Sequence, residues 1–303
     1  MLPCARMASR PSPPPMEELG CVCCCGELVF DRDCYRCVAC GASYPVVEGV
    51  PMFISPEALD QAVIEDARWL RHPVEGFDKP AWRALDHKGG YVRFFQETIL
   101  RRFNFHGRVL EIGAGSCWAS ALVKRFNPEC RVYSTDISVQ ALLKGVRVSQ
   151  LLGASIDYVV ACDAHRLPFK NSLFDAVFGV AILHHLERLK GAVKELQRVL
   201  KPGSVYVGVR EGLAGSAVKP LYRLLSRGWE EERRFGAVER VYTYEEWMEL
   251  LSDFEVEVTL KRDAALGLAF IERAYYAVAN LFPESVLRHL AASLEIVARK
   301  PVE

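Results

Sequence analysis

The sequence predicts an α/β protein in which a small cysteine-rich module precedes a mainly parallel sheet with crossover helices. Three observations carry this expectation. From residue 105 onward, short apolar runs alternate with stretches of helical spacing, as parallel strands joined by helices require. The apolar run 109–112 breaks into Gly113-Ala114-Gly115-Ser116-Cys117 ahead of a helix-forming segment. A strand, a glycine turn and a helix start let backbone come close to a nucleotide-like ligand. Finally, seven of the eleven cysteines fall between residues 19 and 55.

The chain has 303 residues, 50% of them apolar, and a formal net charge of zero. That length suits one sizeable domain plus something small. A balanced charge leaves no overall field to draw the protein to nucleic acid or to an anionic membrane. No uninterrupted apolar run reaches membrane-spanning length; the nearest, 264–282, is broken by Glu272 and Arg273 and reads as a core-facing helix.

Residues 1–18 carry Pro11, Pro13, Pro14 and Pro15 and lack the apolar middle of an export signal, so a disordered tail and a cytoplasmic setting are expected. In a reducing compartment clustered cysteines hold metal more often than they form disulfides. Residues 19–55 contain Cys21, Cys23, Cys24, Cys25, Cys34, Cys37 and Cys40. The C-x-x-C pairs Cys21/Cys24 and Cys37/Cys40 each set two sulfurs on one knuckle, and two facing knuckles make a four-thiolate zinc site. By spacing alone Cys34 could pair with Cys37 instead. A module this short buries too little apolar surface to fold alone, so the metal would supply much of its stability. Free structural thiols are the plainer alternative.

Residues 56–104 read as a helical linker, where Tyr91, Phe94, Phe95, Thr98, Ile99 and Phe103 recur at helical spacing and pack on the sheet. Residues near Tyr91 and Arg93 could also cover a ligand. Strands are expected over 131–136, 156–162, a run after Phe174 that ends at His184-His185, 204–210, 254–260 and 295–300. Ser138 should cap a helix over 139–152, which Gly153 stops. Leu186, Leu189, Val193, Leu196 and Val199 form the next apolar stripe, and Thr243 with Glu246 makes a capping box. The charged segment at about 212–245 follows the fifth strand and is expected to be a lid.

The chemistry lies in an ordered series. Asp136 ends the second strand 23 residues after Gly113, where a carboxylate can accept from both hydroxyls of a ribose. Trp118 replaces the third glycine of a dinucleotide fingerprint, which disfavours nicotinamide and flavin. Then follow Asp163-Ala164, Leu167-Pro168-Phe169, Phe174-Asp175, His184-His185 and Arg198-Val199-Leu200-Lys201-Pro202-Gly203. Over residues 90–303 this series resembles the class I S-adenosylmethionine-dependent methyltransferases, in particular their small-molecule "type 11" branch. Gly26, Leu28, Gly41, Tyr44-Pro45 and Gly49-Val50-Pro51 give residues 19–55 a likeness to the zinc ribbon of tRNA-methyltransferase activator proteins. That resemblance implies Cys21, Cys24, Cys37 and Cys40 as ligands.

The first resemblance implies a seven-stranded Rossmann-like sheet over 105–303 with its last strand antiparallel. It also implies a cofactor site of Glu111, Gly113, Ala114, Gly115, Asp136, Ile137, Asp163, Ala164 and Val180. His185 and His184, at the acceptor end of the fourth strand, could serve as a general base near neutral pH; Arg210 and Glu211 are further candidate acceptor contacts. The reading is methyl transfer to an O, N or C atom of a small molecule, with S-adenosylmethionine as cofactor and structural zinc. A base methyltransferase acting on rRNA or tRNA and a non-catalytic cofactor-binding scaffold are the rivals. Nucleic acid is disfavoured, because the ribbon sets Arg32 and Arg36 against Glu27, Asp31, Asp33 and Glu48. No membrane is expected, and the ribbon could carry a protein partner.

Overall fold

The computed structural model describes residues 12–71, 95–216, 218–219, 240–261, 278 and 281–302. The chain divides into two units, Met1–Ala176 and Val177–Glu303.

In the first unit the ribbon strands β1 (Leu28–Asp31), β2 (Cys34–Cys37), β3 (Ser43–Val47) and β4 (Val50–Phe53) form an antiparallel meander. Tyr35 and Tyr44 pack their rings on the buried Phe53, with centroids 5.1 and 4.9 Å away. The meander does not stand apart. β4 pairs in parallel with β7 (Tyr158–Cys162), Met52 opposite Ala161 and Phe53 opposite Cys162. β7 pairs in parallel with β6 (Arg131–Asp136), and β6 with β5 (Arg108–Ile112). β4 thus covers a β7 edge that would otherwise expose unpaired backbone groups.

Among the described residues, this unit holds the α-helices α1 (Leu59–Arg71), α2 (Trp118–Phe126) and α3 (Val139–Leu151). The Ser138 hydroxyl accepts from the Ala141 amide at 3.0 Å, the cap its sequence position predicts. Phe95 and Ile99 are buried, and Phe95 meets Trp118 edge-on. Of the expected tail, residues 12–18 are among those described. Met16–Glu18 make one 3-10 turn, and the buried Glu18 carboxylate takes Arg108 Nε at 2.7 Å and the Tyr133 hydroxyl at 2.5 Å. Those partners lie 90 and 115 residues away, a separation that no local pattern reveals.

β8 (Phe174–Val180) runs from the first unit into the second, which holds α4 (Leu189–Val199), β9 (Leu200–Ala214), α5 (Tyr244–Leu250), β10 (Glu255–Lys261), α6 (Glu284–Leu287) and β11 (Ala291–Arg299). β11 is antiparallel to both β9 and β10. Of the eleven strands described, β5 to β11 are the seven expected and four belong to the ribbon. Leu189, Val193, Leu196 and Val199 are buried as the stripe predicts, and the Thr243–Glu246 capping box is present.

Two expectations need correction. The fourth strand does not reach His184-His185; it stops at Val180, because Ala181 takes a left-handed φ of 52°. The two histidines instead lie in a 3-10 turn, Leu183–His185. The fifth strand does not end at Arg210 but continues to Ala214. Tyr91, Arg93, residues 220–239 of the expected lid and nearly all of the expected 264–282 helix lie outside the described residues.

Candidate functional site

The cradle in the first unit is built where β5 and β6 end. Gly113 and Gly115 both take left-handed φ, 61° and 49°, which a side chain would resist. Asp136 then ties the turn down: one oxygen accepts from the Gly115 amide at 2.8 Å, the other from Ser138 N at 2.9 Å. The Ala114 amide donates to Thr135 O across the same gap. Glu111, one of the residues the resemblance assigns to the cofactor site, ties the end of β5 to the start of α2. It is buried and accepts from the amide and hydroxyl of Ser120 in the first turn of α2. Cys117 fills the third small-residue place in a left-handed conformation, its sulfur packed on Gly145 of α3.

Asp163 follows β7. Its carboxylate accepts from the His165 amide at 2.9 Å and lies 2.6 Å from His165 Nδ1, so a residue that sequence reasoning passed over holds it in place. Ala164 sits between them, half-buried. Ile137 packs against the cluster of Ile54, Ala58 and Ala62.

Burial raises both cradle acids. Burial pushes Glu111 up to about 8, against the pull of the Ser120 hydroxyl and amide. Asp136 is raised to about 6, first by burial, against the Ser138 and Gly115 amides and with Glu65 and Asp66 adding to the rise. A carboxyl whose folded pKa is raised stabilises the fold while protonated. That contribution is whole below the ordinary carboxylate pKa and is lost as pH climbs through about 6 for Asp136 and about 8 for Glu111. Thermal melts of ligand-free protein between about pH 5 and pH 9 should therefore slope downward, and less steeply in Glu111→Gln. Equal slopes would remove Glu111 from this account.

In the ribbon, the sulfurs of Cys21, Cys24, Cys37 and Cys40 all lie within 4.8 Å of one another. The contacts between knuckles are Cys21–Cys40 at 3.6 Å and Cys24–Cys37 at 3.5 Å. A Cβ on Gly26 would stand 3.1 Å from the sulfurs of both Cys24 and Cys37, which gives that glycine its reason. Cys34 points elsewhere, to the Tyr35 carbonyl, while Cys23 and Cys25 are exposed. Four thiols this close ionise together only around a cation, so the donor set fits tetrahedral zinc.

In the second unit the decisive feature is a β-bulge. Val209 pairs with Glu295 and Glu211 with Leu294, so Arg210, at φ 59°, is the extra residue. On a regular strand Glu211 would share a face with Val207 and Val209. The bulge turns it to the face of Tyr206 and Gly208. There the buried Glu211 carboxylate accepts from the amides of Ile182, Leu183 and His184, each at 3.1 Å, and lies 2.7 Å from His184 Nδ1. Burial alone would raise Glu211; the His184 ring and these amides outweigh it and hold the acid below its ordinary value. The His184 tautomer is thereby set: Nδ1 donates, leaving Nε2 as the basic nitrogen. The His185 ring packs tilted against that of His184, centroids 4.2 Å apart, and Val180 is half-buried at the end of β8. Tyr206 is buried, with no hydrogen-bond partner for its hydroxyl among the described residues.

Residues 110–208 match the family model described as a methyltransferase domain. The matched stretch takes in the glycine turn and the strands that build the cradle, so the likeness to a methyltransferase domain falls on that part of the chain. Among curated relatives, the ubiquinone/menaquinone biosynthesis C-methyltransferase UbiE of Desulfotalea psychrophila is 34% identical over 97 residues, 32% of this chain and 38% of that protein. The demethylmenaquinone methyltransferase of Geobacillus kaustophilus is 31% identical over 116 residues, 37% of this chain and 50% of that one. The matched stretch thus spans half or less of these relatives. In fold, the chain is similar to geranyl diphosphate C-methyltransferase from Streptomyces coelicolor A3(2), at a TM-score of 0.57 and 16% identity over 81% of this chain and 98% of that one. It is also similar to a chain of the complex between the Haloferax volcanii Trm112 methyltransferase activator and a methyltransferase, at a TM-score of 0.51 and 19% identity over 76% of this chain and 97% of that one. Among the described residues no helix is long and apolar enough to cross a membrane.

Proposed function

We propose that this chain transfers the methyl group of S-adenosylmethionine to a small-molecule acceptor, and that its ribbon holds one structural zinc. The observation that carries the reading is the glycine turn bound through Gly115 to a half-buried Asp136 at the end of the neighbouring strand. When bound, the cofactor supplies a methyl on a sulfonium, already activated for in-line displacement. The chain's part is to hold, orient and exclude water. Asp136 would accept from the ribose hydroxyls. Asp163, fixed by His165, and the Ala164 amide would bind adenine, with Ile137 and Val180 as apolar contacts. Gly113, Ala114 and Gly115 give close backbone passage, and Glu111 keeps that turn in shape.

The UbiE relative is named a C-methyltransferase, which favours carbon among the O, N and C acceptor atoms. A carbon acid or a hydroxyl must lose a proton. His184, oriented by Glu211, is the base, and His185 packs against it. The zinc is structural, because four thiolates leave no open position. Its thiols need the reducing conditions of a cytoplasm, and the ribbon's partner is this chain's own β7.

The test is calorimetry with S-adenosylhomocysteine. Wild type should bind it and ignore nicotinamide cofactors. Asp136→Ala should weaken binding by about 1–3 kcal/mol, the cost of leaving buried polar groups unpaired. Unchanged affinity sinks the ribose assignment. Labelled donor offered with cell metabolites and with total RNA then finds the acceptor. Label entering RNA would move the reading to a nucleic-acid enzyme, and tight binding without any labelled product would leave a scaffold.

A further inference from the structure

The ribbon does more to this protein than fold. β4 and β7 are parallel, so the chain leaves β4 at the edge where β7, β6 and β5 deliver Asp163, Asp136 and Gly113. In an α/β sheet that carboxyl edge is where ligands bind. After β4 come one 3-10 turn, Pro56–Ala58, and then α1. The helix is therefore laid across the cradle by the topology of the ribbon's last strand.

Four contacts fix it there. Ala62 joins Ile54 and Ala58 in the cluster that receives Ile137, the residue after Asp136. One turn on, Asp66 accepts from the Ser138 hydroxyl at 2.6 Å and the Gln140 amide at 3.0 Å, so α1 caps the start of α3. A further turn on, the Trp69 carbonyl takes the Lys144 ammonium. The Trp69 ring then lies over the glycine turn: a Cβ on Gly115 would stand 3.1 Å from its Cζ2 and 3.4 Å from its Cη2. Only a glycine lets an indole come this close. The ring stands on the turn that the cofactor reading assigns to backbone passage.

We propose that α1 is a wall of the cofactor site, with Trp69 a cofactor-contacting residue and Asp66 the positioning residue that seats it. This rests on the S-adenosylmethionine reading. Because α1 is tethered to β4, the ribbon holds Trp69 in place, and the metal state of the cysteine site bears on cofactor affinity.

Calorimetry and tryptophan fluorescence with S-adenosylhomocysteine test it. Trp69→Ala should bind at least tenfold more weakly than wild type, and Trp69→Phe, which keeps an aromatic wall, within about threefold. The emission change that accompanies binding in wild type should be largely absent from Trp69→Phe, a readout that survives even if the alanine variant does not fold. Asp66→Ala should weaken binding and reduce the same emission change. Chelating the zinc should weaken binding in wild type but add little in Trp69→Ala, whereas collapse of the fold would weaken both alike. Wild-type affinity in Trp69→Ala together with an unchanged emission response in Trp69→Phe overturns the proposal. Tighter binding in Trp69→Ala overturns it too, since the ring would then be a plug. If wild type itself binds nothing, the cofactor reading has failed, which is a separate result.

Discussion

The Cys37→Ser protein is expected to purify without zinc, while wild type and Cys23→Ser carry one atom per chain. The four sulfurs that lie within 4.8 Å of one another are those of Cys21, Cys24, Cys37 and Cys40, while Cys34 is turned to the Tyr35 carbonyl and Cys23 accepts from the Tyr44 hydroxyl at 3.4 Å. Structural zinc contributes about 10–16 kcal/mol of apparent binding energy in small zinc modules, as much as the whole stability of many domains. Losing it should unfold the ribbon and uncover β7. The consequence should be visible as melting: a loss of only about 4 kcal/mol lowers the midpoint of a unit this size by roughly 10 °C. Metal analysis and thermal melts of the three proteins measure both effects. Zinc retained in Cys37→Ser but lost from Cys34→Ser would show that the ligand set is wrong.

Removing the imidazole in His184→Ala should lower kcat by about 10²–10⁴, the usual contribution of a positioned base, with KM for the cofactor little changed. Glu211→Gln tests the same unit differently. Its neutral amide should reduce kcat, because the His184 tautomer is no longer enforced by the carboxylate 2.7 Å from Nδ1. Full activity in both His184→Ala and Glu211→Gln would mean that the acceptor needs no base from this turn.

Much of this site was legible because its signals are local. Gly113 and Gly115 announce a turn that only glycines make comfortably, and Asp136 announces a strand end. Ser138 and the Thr243–Glu246 pair announce helix starts, since a cap needs only the next turn of backbone. Two C-x-x-C pairs announce a metal knuckle. His184 and Glu211 were each visible as candidates, but their partnership was not. It depends on one extra residue, Arg210, which no alternation of apolar and polar positions discloses. His165 was missed for a similar reason: a histidine two residues past an acid gives no hint that its ring turns back to hold it.

The sequence by itself determined the fold class, the succession of strands and helices along the chain, the two C-x-x-C pairs and the place of the glycine turn. Each is set by short-range chemistry: strand and helix periodicity, glycine conformations, and pairs of ligands on one knuckle. Tertiary structure alone decided that Glu18, at the end of an apparent tail, is buried against Arg108 and Tyr133. It also decided that a bulge delivers Glu211 to His184, and that a parallel pairing of two β-bridged residues brings α1 and Trp69 onto the cradle. These outcomes depend on the register and direction of strands that meet across long stretches of chain. A one-residue slip reverses every side chain on a strand, so such contacts are fixed only once the whole sheet has closed.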